Sequence, residues 1–201
     1  GEFVSGEYIV GLLAEFFLNK ERNAKIVHDP RLILNTTDVI LSNGGVPVKS
    51  KTGHAFLKQA MRQTNAIYGG EISAHHYFRD FSFCDSGMIP WLLILELLSE
   101  KKQSLSQLVK NRKEKFPRSG ELNFSVSSVT ELFKKVQAKY EKSNKSLDYL
   151  DGISFNFEDW RFNLRASNTE PLVRLNVETV GMPGLLDEKV EELEKLINDK
   201  V

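Results

Sequence analysis

Thiol is nearly absent from this sequence: Cys84 is the one cysteine among 201 residues. That excludes an internal disulfide and a cysteine-rich zinc site. Cys84 itself reads as a small apolar filler, and the scarcity of thiol fits a reducing, cytoplasmic setting. Net charge is missing as well. Lys and Arg together number 27, and Asp and Glu together 27, so no overall field draws the chain toward nucleic acid or a membrane surface. No long apolar run occurs. The most apolar stretch, Met88–Leu98, is too short to span a bilayer and carries Glu96, so it reads as a buried helix. The basic run Lys110–Lys115 is short, contains Glu114 and lacks interleaved aromatics; it reads as a solvated helix face, not a nucleic-acid patch. No secretion signal is visible at the start of these residues, nor any internal repeat or low-complexity segment within them. The chain opens Gly1-Glu2-Phe3 without an initiating Met, and it is expected to be a piece of a longer protein or a processed product.

What is present is an ordinary globular composition, 41% hydrophobic and 27% charged. At this length it supports one or two domains with cores of their own. Residues 5–19 place Ile9, Val10, Leu12, Leu13, Phe16 and Phe17 at helical spacing, an amphipathic helix. Strand-like runs at Ala24–His28, Val46–Lys49, Ala66–Tyr68 and His76–Phe78 alternate with helical stretches at Leu32–Ser42, His54–Asn65 and Met88–Leu98, the last capped by Asp85 or Ser86. This alternation predicts an α/β/α domain with a mainly parallel sheet over residues 1–115. A polar helix, Ser104–Lys115, leads into Phe116-Pro117-Arg118-Ser119-Gly120, whose turn residues read as the domain boundary. Beyond it, a strand at Leu122–Val126 and a helix at Val129–Glu141 come first. Strands at Leu147–Leu150, Gly152–Phe157, Asp159–Leu164 and Leu172–Val180 follow, then a helix at Leu185–Asn198. Clustered strands between helices predict a smaller α+β domain over 116–201, with an antiparallel sheet and flanking helices.

Three stretches carry candidate chemistry. Arg165-Ala166-Ser167-Asn168-Thr169-Glu170-Pro171 joins two strands and offers a guanidinium, hydroxyls, an amide and loop N–H groups, with Arg174 close behind. Such donors suit an anion, and arginine grips phosphate with two parallel bonds. On composition alone an ordinary polar hairpin explains the stretch better. Gly69-Gly70-Glu71-Ile72-Ser73-Ala74-His75 ends a strand with glycines that permit a sharp turn and close approach of backbone to a ligand. If the segment after them is extended, Glu71, Ser73 and His75 point to one side, toward an open cleft, and suit a sugar's hydroxyls. A polar strand end with satisfied histidines explains the same residues. Lys51-Thr52-Gly53-His54 is a turn feeding a helix, with His54 a candidate for proton transfer or simply a helix-start histidine.

In this order the three motifs resemble those of the α-D-phosphohexomutases, the phosphomannomutase/phosphoglucomutase family. Arg-Ala-Ser-Asn-Thr-Glu-Pro is similar to the family's phosphate-binding loop. Gly-Glu-Ile-Ser-Ala-His resembles its sugar-binding loop, and the continuation His-Tyr-Phe-Arg-Asp through Asp80 its phosphomannomutase branch. Lys-Thr-Gly-His resembles a turn whose histidine lies near the transferring phosphate. The resemblance spans the chain as the third and fourth of four domains. It implies His54 as catalytic, Arg31, Lys51, Glu71, Ser73 and His75 as substrate-binding, and Arg165, Ser167, Asn168, Thr169 and Arg174 as phosphate-binding. It also implies a phosphosugar substrate, with the two N-terminal domains of the same protein as partner. The parent enzyme would require Mg2+ and a hexose bisphosphate activator. The family's phosphoserine loop and Asp-x-Asp-x-Asp-Arg magnesium loop do not occur in these residues. The chain alone is therefore expected to bind no metal and to be inactive. A non-catalytic phosphosugar-binding module is the alternative.

Overall fold

The structure is a computed structural model describing residues 1–167, 170 and 172–199. The chain divides into two compact units, Gly1–Lys113 and Glu114–Val201.

The first unit is organised on strands β1 (Lys25–His28), β2 (Val46–Lys49), β3 (Tyr68–Gly70), β4 (His76–Phe78) and β5 (Cys84–Asp85), in the order β2-β1-β3-β4-β5. β1 pairs parallel with β2 and β3, whereas β4 runs antiparallel to both β3 and β5, so the sheet is mixed. Alternation along the strands sends successive side chains to opposite faces. Ile26 and Tyr68 join a core with Val10, Leu13 and Leu18 of α1 (Gly6–Lys20) and Val39 and Ile40 of α2 (Leu34–Ser42). Val27 and Tyr77 join another with Leu57 and Met61 of α3 (His54–Thr64). That is the expected α/β/α layering.

Helix α1 departs from the amphipathic reading. Its far side buries Tyr8, Leu12 and Phe16 against Leu97 of α4 (Met88–Lys101) and Val109 of α5 (Leu105–Lys115). A helix apolar all round belongs inside. Ser86 takes the capping role foreseen for it: its Oγ accepts from the N–H groups of Met88 and Ile89 at 3.2 and 3.3 Å. Cys84 is not the filler its type suggested; it is an exposed free thiol on edge strand β5.

The glycine pair also differs from its sequence reading. Gly69 and Gly70 do end β3, as expected, but what approaches them closely is protein. A methyl at Gly69 would stand 2.6 Å from the Met61 sulfur, and one at Gly70 2.6 Å from a Val10 methyl. Their bareness lets α3 and α1 close on opposite faces of the strand.

In the second unit β6 (Arg118–Ser125), β7 (Ser146–Asp148), β8 (Ile153–Asn156), β9 (Trp160–Ala166) and β10 (Leu172–Thr179) form an antiparallel sheet in the order β6-β10-β9-β8-β7. Helices α6 (Val129–Tyr140) and α7 (Pro183–Asn198) cover its apolar side, with Val136, Leu193 and Ile197 against Phe155, Phe162, Leu164, Val173, Leu175 and Val177. Intervening residues, among them Arg161, Asn163, Arg165, Arg174 and Asn176, belong to the other face. β6 begins earlier than its Pro-Arg-Ser-Gly composition suggested. Gly120 at φ 79° and a register irregularity opposite Asn176 and Glu178 keep these turn-forming residues in the ladder, as a bulge does. Among the described residues no helix is long and apolar enough to cross a membrane.

Substituting Gly70 by Ala overfills the contact between β3 and α1 and should cost about 1–3 kcal/mol. The check is a urea midpoint; an unshifted midpoint would mean that α1 can yield without loss. We also propose that the two units fold independently. Brief proteolysis should cut first between Lys101 and Gly120, and a first cut inside Val46–Phe83 would count against the division.

Candidate functional site

The first cluster is built on the connection between β3 and β4. Residues 71–75 are not extended, as the alternation argument required, but form a tight turn. The Ala74 N–H donates to the Glu71 carbonyl at 3.0 Å, and the Glu71 N–H to the His75 carbonyl at 2.9 Å. Ala74 takes the left-handed conformation, φ 66°, uncommon for a residue with a Cβ. The turn still gathers the expected side chains: Ser73 Oγ lies 3.1 Å from His75 Nδ1, and Glu71 Oε1 lies 3.9 Å from the same nitrogen.

Glu71 is not the cleft-exposed carboxylate that alternation suggested. Only 2% of it is exposed. Its Oε1 accepts from the Tyr77 hydroxyl at 2.6 Å and its Oε2 from the Gly53 N–H at 3.1 Å. A buried carboxylate persists where hydrogen bonds replace its lost water. Burial first, and the Glu71 carboxylate second, push the Tyr77 phenol far above its ordinary range. The bond to Gly53 ties the turn to the start of α3, where His54 projects. The His54 and His75 rings meet edge to face with centroids 4.4 Å apart, and His54 stands 5.4 Å from Tyr77. Asp85 of β5 lies 3.6 Å from His54 Nδ1 and pairs with Lys58 at 2.9 Å. The Lys58 ammonium lowers the Asp85 carboxyl below its usual range.

Asp29 braces the turn from the end of β1. Its Oδ2 accepts from the Ile72 N–H at 2.8 Å and from Arg31 Nη2 at 2.8 Å, and its Oδ1 from the Arg31 N–H. Arg31 is thereby joined to the cluster, although only 6% exposed. Among the described residues Lys51 makes no such contact to the cluster; its ammonium lies over the Phe56 ring at 5.2 Å. Neighbouring His76 is buried, donor or acceptor to the Tyr68 hydroxyl at 2.7 Å. Burial above all, and the proximity of His75, bring its pKa down to about 4.

The second cluster lies at the β9–β10 hairpin. Arg165 and Arg174 are direct cross-strand partners. Glu121 of β6 bridges them, with Oε2 2.9 Å from Arg165 Nη2 and Oε1 3.4 Å from Arg174 Nη1; Glu170 lies 3.6 Å from Arg174. Among the described residues the buried Nε–H groups of both arginines have no hydrogen-bond partner. The Ser167 N–H donates to the Leu172 carbonyl at 2.9 Å and closes the hairpin. Asn168 and Thr169 lie outside the described residues.

Sequence reasoning passed over Asp29, Gly53, Tyr77, Asp85 and Glu121. Gly53 and Tyr77 stand inside stretches already singled out and Asp29 lies two residues before Arg31, and that adjacency was the available signal. Glu121 carried none, because its role depends on a strand pairing from distant sequence.

Residues 5–116 match the model of phosphoglucomutase/phosphomannomutase, alpha/beta/alpha domain III, and residues 121–196 that of the phosphoglucomutase/phosphomannomutase C-terminal domain. The chain is 60% identical to a Vibrio cholerae protein named phosphomannomutase over 198 residues, 98% of this chain and 43% of the relative. A phosphomannomutase of Escherichia coli K12 is 55% identical over 99% of this chain and 44% of its own length. Among solved structures, a phosphoglucomutase/phosphomannomutase family protein of Burkholderia thailandensis superposes with a TM-score of 0.81 at 25% identity, over 98% of this chain and 42% of that one. The chain thus spans less than half the length of the relatives it matches.

Removing the Glu71 carboxylate leaves the Gly53 N–H and the Tyr77 hydroxyl without their acceptor. Glu71→Ala should therefore lower stability by on the order of 2 kcal/mol or more. Thermal melting without ligand checks this, and an unmoved melting temperature would return Glu71 to a purely ligand-facing role.

Proposed function

The chain belongs to the phosphoglucomutase/phosphomannomutase family, and on that premise we propose that it is the C-terminal half of an enzyme interconverting hexose 6-phosphate and hexose 1-phosphate. Mannose phosphates are the favoured pair, as the names of relatives at 55–60% identity support. In the proposed reaction a phosphoserine from the rest of the protein donates its phosphoryl group to the sugar. The resulting bisphosphate turns round, and the serine takes back the other phosphate. Such catalysis rests on positioning and charge neutralisation.

This chain's share is recognition. His75, Ser73 and the Glu71 carboxylate pair with sugar hydroxyls, with Arg31 and Lys51 as further substrate contacts. His54 stands beside them, able to bind near the transferring phosphate or to move a proton. Arg165, Ser167, Asn168, Thr169 and Arg174 hold the phosphate that is not transferred. A loop that reads phosphate and not sugar can accept either end of a turning intermediate. The observation that carries this reading is the pair of cross-strand guanidiniums whose Nε–H groups have no partner among the described residues, donors of the kind that grip phosphate.

Magnesium is typical of the family. This chain contains no Asp-x-Asp-x-Asp stretch, so its residues do not fit that ion's expected loop and no step here passes through it. Partnership with the N-terminal domains and a cytoplasmic location belong to the same proposal. The other reading, a non-catalytic phosphosugar-binding module, would follow if the coding sequence upstream lacked the serine and aspartate loops.

In the full-length enzyme Arg165→Ala should mainly weaken substrate binding. Losing a charged hydrogen bond is worth roughly 1.5–3 kcal/mol, about ten- to hundredfold in kcat/KM. The assay is steady-state turnover of mannose 1-phosphate, with the isolated chain as an inactive control. Unchanged KM and kcat in the variant, or turnover by the isolated chain, would overturn the assignment.

A further inference from the structure

We propose that His54, Glu71 and His75 form a binding site for a divalent transition ion, zinc in particular. The nitrogen or oxygen atoms that these residues can offer all lie within 4.8 Å of one another. Zinc bonds of about 2.0–2.2 Å in tetrahedral geometry place ligand atoms roughly 3.3 Å apart. Small side-chain rotations close that difference. The two imidazoles are free to make them, with side chains 46% and 44% exposed, while the carboxylate, at 3%, is the fixed member.

The donor set selects the metal. Two imidazole nitrogens and one carboxylate suit zinc, whereas magnesium prefers an all-oxygen shell and its waters. Three protein ligands leave a fourth position for water or a ligand oxygen. The surroundings are those that support metal ligands. Tyr77 and Gly53 hold the Glu71 oxygens, each of which keeps a lone pair for the ion. Asp85 stands 3.6 Å from Nδ1 of His54. Ser73 contacts His75 Nδ1 at 3.1 Å. Outer partners of this kind orient imidazoles and sharpen affinity. Asp85 remains an orienting residue, since its charge is shared with Lys58.

The site does not depend on the mutase reading. Only one corollary does: zinc and phosphosugar would exclude one another, because both would use Glu71 and His75.

The test titrates the untagged chain with Zn2+ against a chromophoric chelator near neutral pH, alongside His54→Ala, His75→Ala and Cys84→Ser. Circular dichroism confirms that each variant is folded. One zinc per chain is expected, weakened roughly tenfold or more in each histidine variant and unchanged in Cys84→Ser, whose exposed thiol is the competing ligand. Co2+ should give visible d–d absorption in the parent chain and lose it in the histidine variants. Zinc should raise the melting temperature of the parent chain and of Cys84→Ser, and not that of the histidine variants. Absence of stoichiometric binding, binding that survives both histidine changes, or binding lost with Cys84 would overturn the proposal. In the full-length protein, intact zinc binding without competitive inhibition would instead count against the sugar-binding role of these residues and leave the metal site standing.

Discussion

A buried carboxylate holds the first unit's loops in register. Glu71 joins the β3–β4 turn to the start of α3 through the Gly53 N–H, and to β4 through the Tyr77 hydroxyl. Asp29 adds a parallel tie from β1 through the Ile72 N–H. None of these bonds is between sequence neighbours, yet together they fix where His54, Ser73 and His75 stand. Severing one member of such a network strands a donor away from water, and this asymmetry makes the arrangement all-or-none.

The fold was legible where periodicity speaks for itself. α1, α3, α6 and α7 and strands β2 and β4 follow from apolar spacing, and the succession of elements follows from that. What was not legible depended on partners far along the chain. β6 begins among residues whose composition reads as linker, because β10 supplies a ladder that overrides turn propensity. Gly69 and Gly70 read as ligand-facing, because the pressure of Met61 and Val10 on them is invisible in one dimension. Cys84 read as a core filler because the type is usually buried; β5, a two-residue edge strand, offers no pattern to detect.

The clusters show the same division. The motifs named the residues, and the turn and the hairpin bring most of them together. The geometry was misjudged at Glu71, since an alternating pattern implies an extended segment, whereas the Ala74 left-handed step folds it into a turn. Residue type gave chemistry, and tertiary contact decided how much of that chemistry is tied up in support.

Glu121 carries a further consequence. By bridging Arg165 and Arg174 it keeps both guanidiniums charge-compensated before any anion arrives. Under the proposed phosphate-holding role, an entering phosphate would gain only the difference between its own grip and that of the resident carboxylate. Affinity would thereby be blunted and the bound lifetime shortened, because a departing anion would have its successor already in place. If the hairpin holds first one end of a molecule and then the other, as proposed, fast release would serve better than tight retention.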